Sequence, residues 1–276
     1  MNCEAPVQTE NSVTKLGAMH RGCVLVAGSH GGRYSARLAA RAGVRATILN
    51  DAGFGRERAG VSGLYLLDQV GIAAATAAHS TCRIGDGQDA LRRGVISAAN
   101  ALAAAIGVEP GMKICDAAKL LSARAEPEEA RDVVVEAETR SILRAADEQR
   151  RGVVLVDSAS LVEPEDKGTI VLTGSHGGLL GTDPQSALRV DAFAVVFNDA
   201  GVGIEEAGLS RLPALDSRGI AAATVSVWSA RIGDARSTYE HGFINHANTA
   251  ARRHGADIGM SAVEFVRLMC HSKGNS

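Results

Sequence analysis

The chain predicts an α/β protein made of two tandem pseudo-symmetric repeats, each a β-α-β-α-β-α unit with a mainly parallel sheet in Rossmann-like layers. Three observations carry that prediction. Residues 22–112 match residues 168–260 with one two-residue insertion. The apolar runs inside each copy are continuous rather than alternating, the mark of strands buried on both faces. Between them lie stretches of helical pattern, each closed by a glycine able to cap a helix.

Taken in order, each copy opens on a polar segment, "NSVTKLGAMHRG" at 11–22 and "DSASLVEPEDKG" at 157–168, which predicts an extra strand paired as a hairpin with the next. The strands "CVLVAG", "RATILN" and "IAAATAA" follow in the first copy, answered by "TIVLTG", "AFAVVFN" and "IAAATVSV" in the second. Helices are expected over "ERAGVSGLYLLDQVG" and "DALRRGVISAANALAAAIG". The shared motifs keep their spacing: GSHGG at 28–32 recurs at 174–178, NDAG at 50–53 recurs at 198–201, and RIGD at 83–86 recurs at 231–234. Two copies of about 90 residues are too few and too long for a solenoid. The organisation is therefore a first α/β repeat at 1–124, a charged amphipathic linking helix at 125–152, and a second α/β repeat at 153–276.

Composition narrows the function. With 29 basic and 31 acidic residues and no basic run longer than Arg-Arg, the chain lacks the footprint of a nucleic-acid binder. No apolar run approaches the roughly 20 residues of a membrane span, and the first residues are polar and acidic, unlike a secretory leader. Cys3, Cys23, Cys82, Cys115 and Cys270 are scattered without a C-x-x-C pair, which predicts reduced thiols and a cytoplasmic setting. Ala-rich, aromatic-poor helices suit close packing within the chain or between the subunits of a homo-oligomer.

In open α/β sheets, ligands bind beyond the carboxyl ends of the strands, where loops and helix N-termini present side chains and N–H groups. GSHGG, NDAG and RIGD all fall at such ends. The duplication also filters residue types: of eight histidines only His30 and His176 correspond, and no lysine does. Glycines at 31, 32, 177 and 178 let the backbone approach an anion, so Gly31, Gly32, Gly177 and Gly178 join Asn50, Asn198, Glu57, Glu205, Arg83 and Arg231 as candidate substrate-binding residues. The candidate catalytic residues are Ser29 and Ser175 as nucleophile or oxyanion donor, His30 and His176 as general acid/base, Asp51 and Asp199 as histidine orienters, and Asp86 and Asp234 in proton transfer. Neighbours in an extended segment point to opposite sides, so Ser29 and His30 need partners from other loops. Plainer roles compete: a capping serine, a helix-terminal charge at Glu57, a loop-fixing Arg83–Asp86 pair, a loop-bonding role for Asn100 and a structural role for Asp68.

These residues predict a small-molecule metabolic enzyme, foremost a hydrolase of an amide- or carboxylate-bearing substrate working without a cofactor. Two alternatives stand beside it. One is a lyase or isomerase holding a divalent metal on His30, Asp51 and Asp86, a chemically acceptable set with no diagnostic spacing. The other is a non-catalytic protein in which GSHGG and Arg83 hold a small anion. Either two equivalent sites or one composite site would satisfy the duplication.

Overall fold

The computed structural model describes residues 4–123, 138–147 and 150–272. The chain forms two compact units: unit 1 is Met1–Ala137 together with Val202–Ala207, and unit 2 is Glu138–Gly201 with Gly208–Ser276. A short stretch of the second sequence copy thus belongs to unit 1.

Unit 1 holds five strands, β1 (Val7–Glu10), β2 (Val24–His30), β3 (Ala46–Asn50), β4 (Ala73–Ala77) and β5 (Ile96–Ala99), adjacent in that order. The first four are parallel and β5 runs antiparallel to β4. Helices α1 (Arg33–Arg41) and α2 (Gly63–Gln69) cover one face, and α3 (Gly87–Arg93), α4 (Ala101–Ala105) and α5 (Ile114–Ser122) cover the other. Alternation along β2 shows why a continuous apolar run is needed: Val24 and Val26 enter the core under α3–α5, while Cys23, Leu25 and Ala27 enter the core under α1 and α2.

Unit 2 repeats the plan with β6 (Arg140–Arg144), β7 (Val153–Val156), β8 (Ile170–His176), β9 (Ala194–Asn198), β10 (Ala221–Val225) and β11 (Ile244–Ala247). Strands β7 to β10 are parallel, while β6 and β11 are antiparallel edges. Its helices are α6 (Arg211–Asp216), α7 (Ala235–His241), α8 (Thr249–Arg253) and α9 (Ala262–His271).

Four details differ from the sequence expectations. The extra strand lies earlier than 11–22 and pairs in parallel, as β1 on β2 and β7 on β8, because 13–20 and 159–166 curl into short 3-10 turns instead of a hairpin. Of the expected linking helix, 125–137 and 148–149 lie outside the described residues, and Arg140–Arg144 is the edge strand β6. The long helix expected over 89–107 is broken into α3, β5 and α4, since Gly94 ends α3 and Asn100 starts α4 by accepting a bond from the Ala103 N–H.

The fourth departure concerns the two units. Between β2 and β3 lies helix α1, but between β8 and β9 there is only a 3-10 turn at Pro184–Ser186. Pro184 supplies no N–H and breaks the helical pattern. At the position of Gly63, where a Cβ would stand 2.5 Å from Ala36 Cβ on α1, unit 2 carries Arg211. The buried guanidinium donates from Nε to Gly178 O (2.8 Å) and from Nη1 to Ala187 O (2.9 Å), and lies over the Phe197 ring. Burial lowers its pKa to about 10.

Candidate functional site

In each unit the three duplicated motifs meet at the C-terminal ends of the parallel strands. His30 at the end of β2 is in register with Asn50 at the end of β3, which is in register with Ala77 of β4. The same ladder joins His176, Asn198 and Val225. What draws the motifs together is backbone proximity: a Cβ on Gly28 would collide with the backbone N of Asp86, and one on Gly174 with the backbone N of Asp234. Gly85 N donates to Gly28 O at 2.8 Å, and Gly233 N to Gly174 O at 2.7 Å.

Most candidates are absorbed by this scaffold. Ser29 Oγ accepts from Val13 N (3.0 Å) and Ser175 Oγ from Ala159 N (2.9 Å), so each serine is engaged by the first N–H of a 3-10 turn. Gly31 and Gly177 leave no room for a side chain against Gly60 O and Gly208 O. Gly32 N and Gly178 N donate to the imidazoles of His30 and His176 rather than to an open site. Asn50 and Asn198 each accept from the N–H two residues on, at 2.9 Å, and hold the loop from within. Asp86 and Asp234 are N-caps, accepting from Asp89 N (2.9 Å) and Ser237 N (2.7 Å). Asn100 bonds backbone, as expected, and Asp68 Oδ1 accepts from Leu102 N.

The arginines are likewise committed. Arg231 donates twice to Asp234 Oδ2, at 3.1 and 2.9 Å. Arg83 donates from its backbone to Asp89 Oδ2 (2.9 Å), and its guanidinium reaches Asp89 Oδ1 (3.3 Å) and Glu205 Oε2 (3.1 Å). Arg93 joins the same two carboxylates, with Glu205 Oε1 at 2.7 Å. Burial alone would raise the Asp89 carboxyl, but the bonds from Arg83, Arg92 and Arg93 hold it below its ordinary value. Glu205 is held low by Arg93 first and by Arg83. Glu205 is thus a ligand of Arg83, and the anion-anchor role expected of Arg83 is already filled by the protein itself. Glu57, its sequence counterpart, is exposed beside Arg56.

The histidine that Asp51 orients is not His30 but His79. Asp51 is buried, and its Oδ1 accepts from Gly53 N (2.9 Å), from His79 N (3.1 Å) and from His79 Nδ1 (2.8 Å). The His79 side chain is 29% exposed against 2% for Asp51. A carboxylate partner on Nδ1 places the ring proton there and makes Nε2 the basic nitrogen. His30 has the opposite tautomer: its Nδ1 accepts from Gly32 N (3.1 Å), so the neutral ring carries its proton on Nε2. Loss of solvent lowers the His30 pKa from 6.5 to about 4, and it stays neutral at physiological pH.

In unit 2, Val227 takes the place of His79 and only its N–H reaches Asp199 Oδ1 (2.8 Å). The other carboxylate oxygen accepts from Asn245 Nδ2 at 2.5 Å, and Asn245 is fixed in turn by Thr224 Oγ1 at 2.9 Å. Filtering the histidines for symmetry therefore removed the informative one. The usable signal was position: His79 lies two residues past the end of β4, three residues ahead of the Cys-Arg-Ile-Gly-Asp segment.

The loop after Asp51 and its sequence counterpart after Asp199 are both strained. Ala52 (φ 47°), Phe54 (60°), Glu57 (54°) and Arg58 (55°) adopt left-handed backbone, as do Ala200 (50°), Val202 (64°), Glu205 (56°) and Glu206 (54°). Left-handed conformation in such residues costs about 1–2 kcal/mol each and concentrates at functional sites.

One acceptor atom each of His30, Asp51 and Asp86 is taken, by Gly32 N, His79 and Asp89 N, and among the described residues no group of three His, Cys, Asp or Glu side chains is arranged to hold a metal ion. Cys82 is no nucleophile, since burial foremost pushes its thiol up to about 12. A groove of about 470 Å³ in unit 2, walled by Lys167, Arg189, Asp191 and Arg218, opens at the other end of the sheet, before β8, β9 and β10, and shares no residue with the motifs.

Compared with protein-family models, with curated proteins and with solved structures, the chain matches none. Among the described residues no helix is long and apolar enough to cross a membrane. The cysteines Cys23, Cys82, Cys115 and Cys270 are free thiols.

Proposed function

We propose that the chain is a small-molecule hydrolase with one acid–base centre, the Asp51–His79 pair of unit 1. The observation that carries this reading is the 2.8 Å bond from His79 Nδ1 to a buried carboxylate at a parallel strand end. Such a carboxylate fixes the tautomer and steadies the imidazolium that forms when Nε2 takes a proton, work of about 10²–10⁴-fold in rate.

With Ser29 turned to a backbone N–H and Cys82 protonated, the attacking group is water. His79 Nε2 removes a proton from water as its oxygen adds to the substrate carbonyl, then returns that proton to the departing amine as the C–N bond breaks. His30, at the adjacent strand end with a neutral Nε2–H, is suited to donate a hydrogen bond to the developing oxyanion. The substrate class is a small polar amide, and a cytoplasmic setting accords with the free, largely buried thiols. Unit 2 retains the loops without the base, so this reading has a single catalytic centre.

The test is continuous titration of acid released from a panel of small amides, lactams and ureas. Turnover by the wild type, lost in His79→Gln and Asp51→Asn but kept in Asp199→Asn, supports the proposal. Undiminished turnover in His79→Gln overturns it.

A further inference from the structure

Glu205 and Gly203 carry no chemistry in this mechanism, yet both lie beside its base. Ile204 N donates to His79 O at 2.9 Å. Gly203, at φ +73°, comes so near that a Cβ there would stand 3.0 Å from the same oxygen. Two residues beyond Gly203, Glu205 is clasped by Arg83 Nη1 (3.1 Å) and Arg93 Nη1 (2.7 Å), and both arginines are anchored by the buried Asp89. Val202–Ala207 thereby belongs to unit 1.

From this geometry we infer that the Gly203–Glu205 segment is a latch that positions His79, with Glu205 as its positioning residue. The inference rests on the Asp51–His79 reading. His79 is held by two restraints at right angles in function: Asp51 fixes the imidazole and its own N–H, while the latch fixes the carbonyl that follows. A base must be held within a fraction of an ångström to act in a near-attack geometry, so loosening one restraint reduces turnover without changing the chemistry of the ring. Glu57 is the counterpart of Glu205, and the residues matching Asp89 and Arg93 are Ser237 and His241, so the Asp89-centred anchor belongs to the Glu205 side. Because Glu205 is half exposed, its ion pairs weaken with salt.

Two variants test the latch from opposite ends. Glu205→Gln keeps the shape and removes the charge; Gly203→Ala leaves the ion pairs and crowds His79 O. Hydrogen exchange at the Ile204 amide and the ¹⁵N signals of the His79 ring report the latch without any substrate. Expected are about tenfold faster Ile204 exchange in both variants and in wild type on raising salt from about 0.05 to 0.5 M. The kcat falls about tenfold with KM little changed. Unchanged Ile204 exchange and His79 signals in both variants overturn the latch, even where His79→Gln abolishes turnover. Conversely, faster exchange in a protein that hydrolyses nothing on the panel upholds the latch and overturns the hydrolase. Should Glu205→Gln fail to fold, the Gly203→Ala variant and the wild-type salt series decide.

Discussion

Asp51 and Asp199 stand at the same place in two copies of one scaffold and hold different partners. Asp51 accepts from the His79 imidazole, whereas Asp199 accepts from Asn245, itself pinned by Thr224. An amide cannot take up a proton, so the proposed acid–base pair has no counterpart in the second copy. Conserved between the copies are the elements that close the backbone: Gly28 and Gly174, the Asp86 and Asp234 caps, the Asn100 and Asn248 caps, and the left-handed loops. A repeat can diverge at side chains that face solvent, but at contacts between backbones it has little freedom.

The strongest way to break this comparison is to attack what both units share. Gly28→Ala and Gly174→Ala should each cost at least about 3 kcal/mol, because the added methyl meets backbone rather than a flexible side chain. Chemical denaturation of both variants checks this, and an unequal cost would show that the units do not depend equally on the motif. Next, Asp51→Asn should lower kcat by about 10²–10⁴-fold while Asp199→Asn leaves it nearly intact. Equal losses would restore two functional sites.

A third variant addresses the missing helix. Arg211→Met should destabilise by about 2–4 kcal/mol, since Gly178 O and Ala187 O lose their donors in a buried place. Thermal unfolding would detect it, and a neutral result would mean that the loop between β8 and β9 holds itself.

His30 makes stability depend on pH. Its folded pKa of about 4 lies below the ordinary 6.5, so the unfolded chain binds more protons between those values and stability rises with pH across that window. Above about 6.5 this contribution is flat. His30→Gln should flatten the slope between pH 4 and 6.5 in denaturation series, and an unaltered slope would refute the assignment. Smallest is Val202→Gly: relief of a β-branched residue at φ 64° less the added chain entropy leaves a gain of about 0.5 kcal/mol.

Much of the fold was legible in the sequence. Continuous apolar runs marked six of the parallel strands, and the internal match located the loops that converge at their ends. Less legible were β5 and the break between α3 and α4, where "VISAA" follows a helical pattern without a visible stop except Gly94. The serines of GSHGG read as chemistry because a hydroxyl looks the same whether it activates a substrate or accepts from Val13 N. His79 escaped notice because an internal match records only what two copies share, and Val227 stands at its counterpart.

By itself, then, the sequence determined the duplicated α/β plan, the parallel strands and the meeting place of GSHGG, NDAG and RIGD, because periodicity and repetition are properties of order along the chain. Only the tertiary structure decided which carboxylate holds which imidazole, that Arg83 is already paired, and that Glu205 lies in unit 1. Those outcomes turn on distances of about 3 Å between residues up to 122 positions apart, and hydrogen bonds over such separations leave no periodic trace.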